Sequence, residues 1–308
     1  ISEKLNFDGS VRFENVNVNG TINTGQLSNL DASGDLIGFD YNSDGVISPF
    51  EATIPTIAGN PGQAISDDYN FVSYSAGLNY KINDGTAVFG RYSKGASGRA
   101  ADRNTYGEDG LGDVQFDEIS QFEVGLKKRL DNGVLNVTGF VSNTDEGISN
   151  ELNRTVGNPF KALGLEVESA LGFGDFSING SVTYTKSEID GGDNLGNKPR
   201  RQADFVYNIA PMYSFGASKQ HLLGITILGT SESFAQDDND LVMPGYAYVN
   251  AVARVSLTKG LSLSVNANNL FDTIGVTEVE GNGNIAGGLA AARTISGRSS
   301  TMTLQYSF

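Results

Sequence analysis

One stretch, FDYNSDGVISPFEA at residues 39–52, combines oxygen-bearing side chains at the spacing of a calcium-binding loop. It matches the pattern D-x-[DN]-x-[DN]-G-x5-E at every specified position. The predicted metal ligands are Asp40, Asn42, Asp44, Val46, Ser48 and Glu51. Val46 would bind through its backbone carbonyl, and Ser48 directly or through a water. The sequence therefore predicts calcium as a structural cofactor.

The flanks of this loop differ from those of a complete EF-hand. Gly34 and Gly38 make the preceding segment a poor helix, and Pro55 ends any following helix soon after Pro49 begins it. Without a helix pair to open, the ion is expected to act as a clamp rather than as a sensor. A solvated loop of this kind suggests a dissociation constant of about 10⁻⁴ to 10⁻³ M.

The composition gives little support for catalysis, nucleotide binding or nucleic-acid binding. The chain has no Cys and one His, His221, next to a predicted turn, so thiol catalysis is excluded and a histidine-based relay has a single candidate. Its glycine-rich stretches lack the strand and helix that flank a nucleotide-binding loop. A formal charge of −15 and a pI near 4.4 make nucleic acid an unsuitable partner. The sequence indicates a protein that is not an enzyme.

The segments around this loop are predicted to be β-strands, because apolar and polar residues alternate along them with a period of two. In residues 261–268, Leu261, Leu263, Val265 and Ala267 share one strand face, and serines and asparagines alternate with them. A soluble sheet with one wet face would also alternate in this way. The connections favour a membrane barrel, because short turns alternate with long polar loops.

The segments between these connections give about twelve strands. The predicted strands lie near 3–18, 69–82, 86–94, 117–130, 134–144, 159–172, 176–187, 200–216, 221–232, 241–257, 261–272 and 293–308. The long connections are 20–68, 95–116, 145–158, 188–199, 233–240 and 273–292. The predicted fold is all-β, an antiparallel up-and-down transmembrane β-barrel. Residues 1–308 are expected to form a single barrel domain with an extracellular insertion at 20–68 that carries the calcium loop.

The end of the chain resembles a known family. Its last residues, TMTLQYSF, alternate and finish on Phe308, as in the assembly signal of outer-membrane barrels. LSLSVNANNLFDT at 261–273 contains an N-N-L-F-D run, and with the last strand it resembles the closing signature of TonB-dependent receptors. Residues 74–95 and 122–147 are similar to two earlier hairpins of that barrel.

This resemblance implies a location, a function and partners. It implies an outer-membrane receptor of a Gram-negative bacterium that uses TonB for active uptake of a scarce small molecule. A ferric siderophore, a cofactor or an oligosaccharide would be such a ligand. The family barrel has about 22 strands around an N-terminal plug. Neither a plug nor a TonB-engaging segment is recognisable here, so the chain is expected to be the C-terminal part of such a barrel. A closed barrel of 12 strands, serving as a passive porin or a calcium-stabilised surface adhesin, is the alternative.

Basic residues at the predicted rim indicate how a ligand could bind. Arg99 and Arg103 lie in the loop at 95–116 with Tyr106, and these three residues are the predicted ligand contacts. Further basic residues border this loop or the later ones: Arg91, Lys94, Arg200, Arg201, Arg293 and Arg298. Ion pairs with lumenal Glu123, Glu166 and Glu168 are an alternative role for such residues. Aromatic girdles likewise offer another role for Tyr41, Tyr92 and Tyr106.

We hypothesise that the calcium loop acts at the mouth of the barrel. The ion would order the long acidic loop at 20–68 over the barrel mouth and help to form the ligand-binding surface. Without calcium, the carboxylates of Asp40, Asp44 and Glu51 would repel one another.

Overall fold

A computed structural model describes most of the chain. The described residues are 3–22, 25–28, 44–46, 48, 51, 56–59, 63–98, 116–149, 155–280 and 290–308. The chain divides into two compact units, one of residues 1–12, 72–107 and 111–308, the other of residues 13–71 and 108–110. Within the described ranges, no helix is long and apolar enough to span a bilayer.

Eighteen strands account for the regular structure of these ranges. In chain order they are β1 (Leu5–Ile22), β2 (Gly25–Ser28), β3 (Thr56–Gly59), β4 (Gln63–Asn83), β5 (Thr86–Gly98), β6 (Phe116–Leu130), β7 (Gly133–Ser149), β8 (Thr155–Phe173), β9 (Phe176–Ile189), β10 (Phe205–Phe215), β11 (His221–Thr230), β12 (Ser233–Phe234), β13 (Val242–Met243), β14 (Tyr246–Thr258), β15 (Leu261–Asn268), β16 (Val276–Glu280), β17 (Ala291–Thr294) and β18 (Ser299–Tyr306).

Twelve of these strands form one antiparallel sheet in the order β1-β4-β5-β6-β7-β8-β9-β10-β11-β14-β15-β18. Each strand pairs with the next long strand along the chain, which confirms the predicted up-and-down topology and all-β class. Among the described residues β1 and β18 do not pair, so the sheet is open. This open order differs from the alternative of a closed 12-strand barrel.

The two faces of the sheet have opposite character. Large apolar side chains are exposed on one face, which we call the apolar face; Leu163 is 60% exposed, Val124 55% and Phe122 49%. The opposite face, called the polar face, carries the residues between them, such as Glu123 and Glu166. A soluble protein would bury the apolar face, so this pattern is typical of a sheet that contacts lipid.

The long connections hold structure that periodicity did not predict. Three two-stranded sheets, β2–β3, β12–β13 and β16–β17, lie within them. The strands β10, β14 and β15 are shorter than predicted. Arg201 N donates to Phe234 O in another loop, and Val242–Met243 pairs with β12 in a separate two-stranded sheet. Asp272 N donates to Asn269 O within its own turn. The most buried apolar side chains of the larger unit are Ile189, Ala235 and Met243, all in or beside these loops. The loops therefore have a small core of their own.

Candidate functional site

Three long loops of the larger unit are joined by hydrogen bonds and an ion pair. These loops, residues 190–204, 231–245 and 269–298, are together called the loop cluster. Asn239 links the first two: its Oδ1 accepts from Lys198 N at 2.9 Å, and its Nδ2 donates to Lys198 O at 2.8 Å. The side chain thus reproduces the reciprocal pairing of a β-ladder. Its φ of +63° lies in the left-handed region, which Asn tolerates better than most residues.

More bonds connect the same two loops. Arg200 N donates to Asp237 Oδ1 at 2.8 Å, and Arg201 N donates to Phe234 O at 2.7 Å. Asn197 Nδ2 donates to Asp237 O at 2.9 Å. Asp237 is buried, and its carboxylate accepts the backbone N–H of Arg200. The two loops are therefore held in one conformation by a network of polar contacts.

An acidic residue of the third loop binds two arginines. Glu278 Oε1 lies 2.7 Å from Arg201 Nη1, and its Oε2 lies 3.2 Å from Arg293 Nη1. The Glu278 side chain is only 23% exposed, against 39% for Arg201 and 68% for Arg293. Arg293 is also the cross-strand partner of Glu278 in β16–β17. Two positive charges therefore converge on one carboxylate at the end of the sheet where the long loops lie.

The other predicted basic residues lie on different faces. Arg91 is on the polar face, where its Nη2 lies 2.6 Å from Asp8 Oδ2. Lys94 is on the apolar face, and its Nζ lies 3.1 Å from Glu118 Oε1. Both residues form ion pairs, but the partners that the structure describes, Asp8 and Glu118, are not the predicted Glu123, Glu166 and Glu168. Sequence spacing could not identify these partners because they come from neighbouring strands.

The predicted ligand contacts Arg99, Arg103 and Tyr106 lie outside the described residues, as does Tyr41. Their role remains a prediction. Tyr92 lies on the apolar face with its ring centroid 6.1 Å from that of Tyr74. This position favours the girdle interpretation for Tyr92.

Part of the predicted calcium loop is described. Gly45 has a φ of +80°, the left-handed turn that the glycine of such loops makes. Glu51 Oε2 accepts from Ser48 N at 2.9 Å, and Glu51 N donates to Ser48 Oγ at 3.4 Å. This reciprocal pair is a capping box, which begins a helical turn. The Glu51 side chain is buried, with 3% exposure.

The remaining predicted ligands of this loop are only partly described. Asp44 Oδ1 accepts a hydrogen bond from Val46 N at 2.8 Å, as in a tight Asx turn. Asp40 and Asn42 lie outside the described residues. Among the residues that the structure describes, no three His, Cys, Asp or Glu side chains converge as a metal site would require. Calcium binding therefore stays a prediction.

The N-N-L-F-D run fixes the base of the third loop. Asn269 is 2% exposed, and its Oδ1 accepts from Thr273 N at 2.8 Å. Its Nδ2 donates to Thr273 O at 2.8 Å and to Ser296 O at 3.1 Å, so one side chain joins both arms of the loop. Asp272 Oδ1 accepts from Arg298 N at 2.8 Å. The sequence identified this run only by resemblance; the structure shows its physical role.

The single histidine has a structural environment. His221 Nδ1 accepts a hydrogen bond from Ser256 N at 3.2 Å, and its ring packs 5.0 Å from that of Phe215. One ring nitrogen is thus engaged with the backbone of the neighbouring strand, at the end of the sheet that carries the short turns.

Comparison with known proteins identifies the family. The sequence model described as "TonB dependent receptor-like, beta-barrel" matches residues 1–270. The chain belongs to the TonB-dependent receptors. The probable TonB-dependent siderophore receptor PiuA of Acinetobacter baumannii is similar, with 23% identity over 72% of this chain and 33% of the relative.

Solved structures show the same fold. The ferric yersiniabactin uptake receptor FyuA from Yersinia pestis aligns with a TM-score of 0.74 and 16% identity, covering 100% of this chain and 44% of that one. The copper transporter OprC aligns with a TM-score of 0.71 and 13% identity, covering 100% and 46%. This TonB-dependent receptor chain spans a third of the curated relative and less than half of these two structures.

Family membership also gives the location. TonB-dependent receptors are proteins of the Gram-negative outer membrane, and the family consists of transport receptors rather than enzymes. The apolar face of the sheet is accordingly the lipid-facing side.

Proposed function

We propose that this TonB-dependent receptor takes up a scarce ligand across the outer membrane by energised transport. The observation that carries the proposal is the family match over residues 1–270, on a sheet whose long and short connections lie at opposite ends. The long loops would capture the ligand from outside. TonB would act through a plug and a TonB-engaging segment, the parts that such receptors have ahead of the barrel.

The ligand we propose is an anionic metal chelate, such as a ferric siderophore. The curated relative bears the name of a siderophore receptor, which supports this class. The fold alone does not decide it, because a copper transporter shares the fold. A local argument favours an anion: the chain carries a net charge of −15, yet Arg201 and Arg293 are placed together at the long-loop end. A passive porin or an adhesin would have no need of TonB and is less well supported by the family.

A pair of variants tests which chemistry the loop at 95–116 recognises. With an anionic chelate, Arg99→Ala combined with Arg103→Ala should weaken binding by about 1.5 to 3 kcal/mol for each charged hydrogen bond lost. A neutral oligosaccharide would instead depend on aromatic stacking, so Tyr106→Ala should then have the larger effect. The measurement is ligand-limited growth and whole-cell binding with the full-length parent receptor.

A matched control separates binding from assembly. Arg129→Ala changes an exposed arginine beside a short turn, at the opposite end of β6, and should leave binding unchanged. Wild-type growth of both loop variants would remove residues 95–116 from the ligand site. Reduced growth with Arg129→Ala would trace the effect to assembly.

We further propose that residues 40–51 bind calcium as a structural ion. The turn at Gly45 and the capping box between Ser48 and Glu51 support the register of a calcium loop, in which position six turns and position nine precedes a short helical turn. The buried Glu51 carboxylate would contribute the last ligand. Asp40 and Asn42 would complete the oxygen set.

Calorimetric titration of the refolded 308-residue chain in detergent tests this second proposal. Calcium should bind with a dissociation constant of about 10⁻⁴ to 10⁻³ M. Asp40→Ala with Glu51→Ala should abolish the heat, whereas Asp193→Ala, in an acidic stretch of another loop, should retain it. Absence of heat at millimolar calcium would contradict the proposal.

A further inference from the structure

A cavity of about 650 Å³ opens on the polar face of the sheet, beside the short turn between β4 and β5. Its volume is within the range of about 300 to 1,000 Å³ that small-molecule sites occupy. Cationic side chains outnumber carboxylates around it: Lys81, Arg91, Lys127, Lys128 and Arg129 line it with Asp8, Asp84 and Glu123. The cavity is therefore locally positive in a chain whose net charge is −15.

The positive region ends at the cross-strand row of Arg91 and Glu123, which is farthest from the turn. Arg91 Nη2 lies 2.6 Å from Asp8 Oδ2, so the charge of this arginine is compensated. Glu123 Oε1 accepts a hydrogen bond from Gln121 Nε2 at 2.6 Å. This row therefore leaves no free positive charge for a further anion.

Two other cations lie at the edge of the cavity, next to the turn. Arg129 N donates to Gly85 O at 2.7 Å, so this arginine lies beside the turn that contains Asp84. Lys128 Nζ donates to Thr86 Oγ1 at 2.9 Å. The carboxylate of Asp84 offsets the positive charge at this edge, and the remaining positive charge belongs to two lysines between the edge and the Arg91 row.

Lys81 and Lys127 line the cavity without a counter-ion. Both are exposed, and neither forms an ion pair with any residue that the structure describes. They lie in one cross-strand row on either side of Ala87, so their backbones are about 10 Å apart. The row continues through Asn136 to Glu168, and Asn136 Nδ2 donates to Glu168 Oε2 at 3.5 Å. The short side chain of Ala87 leaves the space between the two lysines open.

This arrangement suits an organic anion with two or more negative groups. Two ammonium groups on either side of a small residue can bind two anionic groups of one molecule, each through a charge-assisted hydrogen bond. Ala87 and the ring of Phe89, whose centroid lies 4.9 Å from Lys127 Nζ, give the site an apolar floor. An inorganic anion would gain nothing from this floor, whereas the organic frame of a chelate can pack on it.

We propose that Lys81 and Lys127 form an exit subsite, which holds an anionic chelate after it has passed the loops and before it is released. The proposal rests on the uptake of an anionic chelate proposed above. Short turns of outer-membrane barrels face the periplasm, so the cavity lies at the end where the ligand leaves. The polar face between the two ends carries Glu123 and Glu166, and the lysine pair offsets their repulsion of the chelate.

Lysine acetylation of the full-length parent receptor in mild detergent tests the subsite directly. The receptor is treated briefly with an N-hydroxysuccinimide ester of acetate, and peptide mass spectrometry gives the acetylation rate of each lysine. Ferric citrate, an anionic chelate, should slow acetylation of Lys81 and Lys127 by about threefold to tenfold, because it occupies their ammonium groups. Inorganic phosphate at the same ionic strength should slow it less, and glucose should not slow it. Lys219, which pairs with Asp175 beside another short turn, should react equally in all of these solutions.

Three results of the labelling would overturn the assignment. If neither Lys81 nor Lys127 reacts in the ligand-free receptor, another part of the protein covers them. Equal protection by ferric citrate and by phosphate would show a general anion site that does not select a chelate. Equal protection of Lys219 would show that the chelate only screens charge.

Uptake by whole cells separates the exit subsite from the proposed function. Lys81→Gln with Lys127→Gln should lower TonB-dependent accumulation of radiolabelled ferric citrate by about threefold to tenfold, while binding in the cold stays unchanged. Lys81→Arg with Lys127→Arg and, separately, Lys219→Gln should accumulate it like the wild type, which distinguishes lost charge from failed assembly. Normal accumulation in the double Gln variant would overturn the exit subsite alone. Equal accumulation by wild-type receptor with and without TonB would instead overturn the proposed function.

Discussion

At the residue scale, Asn269 illustrates how one side chain can hold a long loop. It is buried and bonds to Thr273 N, Thr273 O and Ser296 O. Asn269→Ala should destabilise the folded chain by about 1 to 3 kcal/mol, because buried backbone groups lose their partners. The thermal midpoint of the heat-modifiable form in detergent measures this change.

Two controls separate the side chain from the backbone at this position. Asn269 has a φ of +47°, so Asn269→Gly removes the hydrogen bonds while relieving the left-handed conformation. It should still be destabilising, though less than Ala. Asn268→Ala loses only a 3.3 Å contact with Ser299 Oγ on an exposed surface and should be almost neutral. Equal midpoints for Asn269→Ala and Asn268→Ala would show that the Asn269 side chain does not hold the loop.

Glycines on the polar face accommodate aromatic rings from adjacent strands. A Cβ at Gly164 would overlap the ring of Phe140 and lie 2.8 Å from Tyr184 O, whereas at Gly139 the nearest atom is 3.9 Å away. Gly164→Ala should therefore cost about 1 to 3 kcal/mol of stability by overpacking. Gly139→Ala, on the apolar face of the neighbouring strand, has room for a Cβ and should be tolerated. Chemical unfolding of both variants in detergent checks the difference, and similar midpoints would show that Phe140 moves freely.

At the element scale, the last strand has one face for lipid and one for the interior. Met302, Leu304 and Tyr306 are 74%, 64% and 64% exposed on the apolar face of β18. Met302→Asp with Leu304→Asp should prevent insertion and leave the protein in the periplasm, since charge on the lipid face is destabilising. The cost is about 2 to 4 kcal/mol for Arg or Lys at the midplane and less for each Asp, and the double variant adds two such charges.

Thr303 provides the matched position for this test. It lies between the two substituted residues on the opposite face of β18, so Thr303→Asp should still give a heat-modifiable barrel in the outer membrane. Normal assembly of the Met302 and Leu304 double variant would reject the assignment of the apolar face to lipid.

The loop cluster should behave as one element. Asn239→Ala removes the reciprocal pairing with Lys198, so residues 190–204 should become more accessible to protease and to hydrogen exchange. Asp193→Ala, in the same loop and exposed, should leave exchange unchanged. If protection of residues 190–204 is equal in the two variants, the loops are not held by Asn239.

Local sequence patterns were sufficient to predict the main strands but not to predict the contacts between the loops. Alternation and turn residues predicted all twelve strands of the large sheet, because each strand carries its own polar and apolar faces. The prediction extended β10 back to residue 200, although Arg200 and Arg201 bond to a loop more than thirty residues later in the chain. Likewise, nothing local to Arg201 indicates Glu278 as its partner. Such contacts depend on which loops the finished sheet brings together.

At the scale of the whole molecule, the net charge and the strand topology both affect how the proposed ligand approaches the protein. The net charge of −15 disfavours the approach of any anion, and salt reduces this effect only beyond a Debye length of about 8 to 10 Å. The loop cluster, however, lies at one end of the sheet, and Arg201 and Arg293 lie near each other there. An anionic ligand is thus repelled by most of the surface and attracted only locally.

Transport of a radiolabelled ferric chelate is the most direct test of energised uptake by this receptor. Cells that express the full-length parent receptor are compared with the same cells lacking TonB, and binding is measured separately in the cold. Energised uptake requires binding in both strains and accumulation only where TonB is present. Equal accumulation without TonB would show passive passage and would exclude energised uptake.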